Sequence, residues 1–78
     1  MKPVDRVCGS LALTIYHVRQ YPTAAREAEV ARLRRLFIDL WVSLAVGRIS
    51  AKQAEPHFDA LEQDMLRCRA YEEPPAAA

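Results

Sequence analysis

Seventy-eight residues make one domain with a thin core, the size at which a disulfide, a metal or oligomerisation often supplements packing. Just over half of the residues are apolar, too many for a disordered chain. Eleven basic against ten acidic residues leave a net charge of +1, which is not the footprint of a nucleic-acid or membrane-surface binder.

The charge is split along the chain. Residues 1–52 hold nine Lys/Arg against four Asp/Glu, and residues 53–78 hold two against six, so the two parts attract each other within a protomer or between protomers. Nine of the basic residues are Arg and thirteen residues are Ala, a makeup expected of a GC-rich bacterial or phage gene. The beginning of the chain lacks the pattern of a secretory signal, and no apolar run approaches the ~18 residues of a membrane span. The expected compartment is the cytoplasm, with no membrane partner.

The first segment, "VDRVCGSLALTIYHVRQY", places Val4, Cys8, Leu11, Ile15 and Val18 at alternating steps of four and three. That is the stripe of an amphipathic helix, with Val7 widening it. "LALTIYHV" also alternates in the manner of a strand, but the helical spacing holds over more residues. A helix over about 4–20 is expected, weakened near Gly9 by about 1 kcal/mol relative to Ala and ended before Pro22. Leu13 and Tyr16 point away from its stripe.

Thr23 is placed to cap a second and longer helix, about 24–46. Val30, Leu33, Phe37, Leu40 and Leu44 give its core stripe, flanked by Leu36 and Trp41. Ile38, Val42 and Ala45 fall on a different face, with Trp41 at the edge. Arg35 and Asp39, four apart, are placed to pair. Gly47 sits where a left-handed residue ends a helix.

The third helix, about 51–71, starts at Ser50 with a Ser-x-x-Gln capping box to Gln53 and Ile49 as hydrophobic staple. Ala54, Phe58, Leu61, Met65 and Cys68 repeat the helical spacing. Pro56 is expected to kink the helix or split off its first turn, Leu66 points off the stripe, and residues 72–78 are expected to be a disordered tail. The short join from Gly47 to Ser50 makes the second and third helices antiparallel neighbours. Leu44, Gly47, Ile49 and Ser50 resemble the turn of helical hairpins in short bacterial C-terminal domains of the SHOCT type, over about a third of the chain. The resemblance implies a hairpin and no function.

Chemistry-bearing patterns are scarce. Cys8 and Cys68 read as two small core residues in a reducing compartment, with a disulfide between them as the alternative. With His17 and His57 they lack the close ligand pairs of a structural zinc site. Glu55, Asp59, Glu62 and Asp64 read as a solvated acidic face. No phosphate loop, nucleophile motif or metalloprotease motif occurs, and no catalytic residue, cofactor or metal is expected.

The sequence therefore predicts an all-α small helical bundle with a central long helix and a helical hairpin turning at Gly47/Ser50. Dimerisation is expected through Ile38, Trp41, Val42 and Ala45, whose apolar surface a simple hairpin leaves uncovered. The expected function is that of a non-enzymatic regulator, adaptor or inhibitor that binds another protein. The partner-binding candidates are Leu13, Tyr16, Leu66 and Tyr71 with Arg32, Arg34 and Arg35. A dimeric nucleic-acid-binding regulator using the arginines of the second helix is the alternative, and a structural subunit of a larger assembly is a third reading.

Overall fold

In a computed structural model, which describes residues 2–70, the chain is an all-α, three-helix fold. Helix α1 spans Pro3–Gln20, α2 Ala24–Ala45 and α3 Ala51–Arg69. Tyr71 and the 72–78 segment lie outside the described residues.

Local chemistry fixes each boundary. Pro3 opens α1 in the first helical position, where its missing N–H costs nothing and its fixed φ already suits a helix. The strand-like alternation of residues 11–18 loses to helix because Val7, Leu11, Thr14 and Val18 are then all buried on one side. The Arg26 backbone N–H donates to Thr23 Oγ1 at 3.1 Å and caps α2. At the other end of α2, Gly47 has φ +79°. Its N–H reaches the Leu44 carbonyl, and the Arg48 N–H reaches that of Ser43. These two bonds satisfy carbonyls the helix would otherwise leave open. Ser50 and Gln53 then bond reciprocally at 2.8 and 3.0 Å to start α3.

Pro56 neither splits nor interrupts α3, which runs unbroken through it. The proline falls in the second turn, so the only helical bond it removes is to the carbonyl of Lys52, an exposed residue near the helix start that water can reach.

The helices run up, down and up. Arg6 of α1 pairs with Asp59 and Glu62 of α3, and Ser10 and Thr14 meet Arg69, so α1 and α3 are parallel. Phe37 packs on Phe58 with ring centroids 6.2 Å apart, while Arg26 reaches Cys68, so α2 is antiparallel to α3. It is α3 that packs broadly on both neighbours, and α1 meets α2 less. The central position therefore belongs to α3 rather than to the longer α2.

The core contains Val7, Leu11, Leu33, Phe37, Ala54, Phe58, Leu61 and Met65, with Val4, Ile15, Leu40, Leu44 and Ile49 packed at its margin. Two expectations are corrected here. Cys8 is exposed and Cys68 only half-buried, both as free thiols; the rest of the α1 stripe holds, with Leu11 and Val18 buried and Val4 and Ile15 against the core, and Val7, fully buried, takes the place expected for Cys8. Leu36 and Trp41, expected to flank the core, are exposed.

The exposure of Trp41 follows from where α1 begins, whereas Leu36 faces outward between α2 and α3 on the side away from α1. Arg6 lies level with Asp59 and Glu62, so the start of α1 at Pro3 lies near the level of Phe58 and of Phe37, which packs on it. Beyond that level α2 and α3 continue as a two-helix arm. Trp41, Val42, Ala45 and Val46 lie on this arm, on turns that α1 does not reach.

Candidate protein-binding surfaces

Two buried or half-buried arginines tie the helices together, and three exposed surfaces lie on the bundle they hold. Arg26 looks like an ordinary surface residue in the sequence, yet it is buried. Its guanidinium donates to the Tyr21 carbonyl, to His17 Nδ1 and to the Cys68 carbonyl. Arginine only donates hydrogen bonds, so His17 Nδ1 is the bare, accepting nitrogen of the ring. A second clamp closes the α1–α3 seam. Arg69 Nη1 donates to the Ser10 carbonyl, Ser10 Oγ and Thr14 Oγ1 at 2.7, 2.7 and 2.8 Å. Neither clamp was anticipated from spacing, because charged and hydroxyl residues on an apolar stripe read as interruptions of it.

The first surface is the outer face of α2. Ile38, Trp41 and Val42 are all exposed, Trp41 by 53%, and Ala45 is exposed beside them. Arg34 and Arg35 flank this face on its N-terminal side. Arg35 does not pair with Asp39, contrary to the expected i, i+4 bridge. Among the described residues Arg34, Arg35 and Asp39 have no ion-pair partner. Arg32 differs from its neighbours: it is held by Glu29 and, at 3.1 Å, by Asp64 of α3. The arginines of α2 therefore do not act as one patch, because Arg26 is buried, Arg32 is neutralised and only Arg34 and Arg35 stand free.

The second surface is an open groove of about 380 Å³ between α2 and α3, on the side away from α1. Leu36, Leu40, Ile49, Ala60 and Leu61 form its apolar lining, and Asp39, Ser43, His57 and Asp64 its polar edge. The sequence reading missed it, having assigned Leu36 to the chain's own core; Leu36 is 41% exposed. Serine, histidine and aspartate side chains share this groove, but no hydrogen bond joins Ser43, His57 and Asp39, so no charge-relay geometry is present.

The third surface carries Leu13 and Tyr16 of α1, both well over half exposed, and Leu66 of α3, which is exposed to a smaller degree. Tyr71 lies outside the described residues. Among the described residues no three His, Cys, Asp or Glu side chains are grouped to hold a metal ion. No helix among them is long and apolar enough to cross a membrane.

No family model matches the chain, and neither a curated protein nor a solved structure matches it.

Proposed function

We propose that the chain is a small non-enzymatic protein–protein interaction module. It acts as a homodimer joined through the outer face of α2 and regulates, adapts or inhibits a second protein held elsewhere on its surface. The observation that carries this reading is the exposure of Ile38, Trp41 and Val42 on consecutive turns of one helix, with Ala45 continuing the face. Burying each large apolar side chain contributes roughly 1.5–3 kcal/mol, so association covers a liability that three short helices cannot cover themselves.

The groove between α2 and α3 suits the second protein better than the scattered side chains of α1. It is lined by the apolar Leu36, Leu40, Ile49 and Leu61, which fits the apolar face of an amphipathic helix.

Sedimentation velocity at micromolar concentration tests the homodimer. A dimer is expected for the native chain, and a Trp41→Asp or Val42→Asp variant should be monomeric while keeping its helical circular dichroism. A native chain that sediments as a monomer at that concentration overturns the reading.

A further inference from the structure

On α2, Ala24, Ala28, Ala31, Arg35, Ile38, Val42 and Ala45 recur at alternating steps of four and three, and every one is exposed. This second stripe faces away from the bundle along the whole helix. It is uneven, with alanines through its first half and the bulky Ile38 and Val42 in its second. A hollow of about 320 Å³ lies at its middle, lined by Ala31, Arg34, Arg35, Ile38 and Asp39.

Resting on the homodimer reading above, we infer that two copies of α2 pair antiparallel, with the two-fold axis crossing between Leu36 and Phe37. Antiparallel helices pack the alternating positions of a heptad stripe against each other. In this register Val42 of the second copy enters the hollow at Ala31, Ala28 meets Ala45 of the second copy, and the stem of Arg35 lies along Ile38 of the second copy. The two-fold repeats each contact. A parallel pairing instead sets alanine against alanine and Val42 against Val42, leaving the hollow unfilled.

The charges select the same register. An antiparallel two-fold brings each flank of the stripe against its own counterpart. Arg35, its stem along Ile38 of the second copy, ends on one flank beside the neighbouring Asp39 of the second copy, and these are among the charges left unpaired within the protomer. On the other flank Arg34 lies over the Trp41 ring of the second copy, where a guanidinium is attracted to the indole face. A parallel pairing instead opposes Arg35 to Arg35 within the stripe itself.

Two measurements test the register, both on the full chain. Sedimentation equilibrium should show Arg35→Asp and Asp39→Arg each weakening the dimer about tenfold, because two attractive pairs become repulsive. The Arg35→Asp/Asp39→Arg double variant should recover native affinity. With Cys8 and Cys68 replaced by serine, an Ala31→Cys/Val42→Cys variant should oxidise to a covalent dimer, and either cysteine alone should not. A native dimer whose affinity ignores the charge reversals and whose paired cysteines stay reduced overturns the register and leaves the homodimer standing. A monomeric native chain overturns both.

Discussion

Arg69, the last residue of α3, holds Ser10 in the middle of α1 through both the Ser10 carbonyl and its hydroxyl, each at 2.7 Å. The same nitrogen also reaches Thr14, which is fully buried and itself donates to the Ser10 carbonyl. One side chain therefore satisfies the polar groups that α1 turns toward its neighbour. Arg69→Ala should lower the unfolding free energy by about 2 kcal/mol, since it removes three hydrogen bonds and leaves the buried Ser10 hydroxyl without its partner; urea denaturation followed by circular dichroism measures it.

Arg6 makes a useful contrast. It bridges Asp59 and Glu62 across the same α1–α3 seam, but in the open. Arg6→Ala should cost less than about 1 kcal/mol, the usual worth of exposed ion pairs. The same denaturation series would show an inverted ranking if the seam were held by its outer charges.

Phe58 is almost fully buried, with its ring against Phe37. Phe58→Ala should cost about 3–5 kcal/mol through lost burial and the cavity left behind, a large share of the stability of so small a domain. Phe58→Leu should retain the fold with a lower thermal midpoint.

The two cysteines should differ in reactivity. Cys8 is exposed and Cys68 half-buried, so a thiol reagent should label Cys8 rapidly in the native protein and Cys68 more slowly. Mass spectrometry of a brief labelling pulse distinguishes them; equal labelling would contradict their placement.

His17 accepts a hydrogen bond from Arg26 at Nδ1, which puts the ring proton of the neutral form on Nε2. Nitrogen-15 chemical shifts of the neutral imidazole should identify Nδ1 as the unprotonated nitrogen. Arg26→Met should remove that preference.

Much of the fold was legible before any coordinates. The alternating steps of four and three located α2 and α3, and Thr23, Ser50 and Gln53 marked helix starts through known capping chemistry. The face of α1 was legible except at one position, because Val7 and Cys8 both extend the same stripe and spacing alone does not choose between them. The surfaces were legible only in part. Leu36 and Phe37 are adjacent apolar residues, and periodicity cannot say that one is buried and the other lines an open groove. That depends on how α1 lies against the other two helices. Arg26 and Arg69 were unreadable for a related reason: the contacts that bury them cross to another helix, to Cys68 for Arg26 and to Ser10 for Arg69.

The late start of α1 relative to the arm also divides the molecule in time. The arm from Trp41 to Gln53 rests on two helices rather than three, so its amides should open and exchange with solvent through a local fluctuation well below the energy of global unfolding. Those of α3 around Leu61 and Met65 should exchange only when the whole bundle unfolds. If α2 pairs with a second copy through Val42 and Ala45, exchange in the α2 side of the arm becomes concentration-dependent, and assembly slows a part of the molecule that the bundle alone leaves free to open.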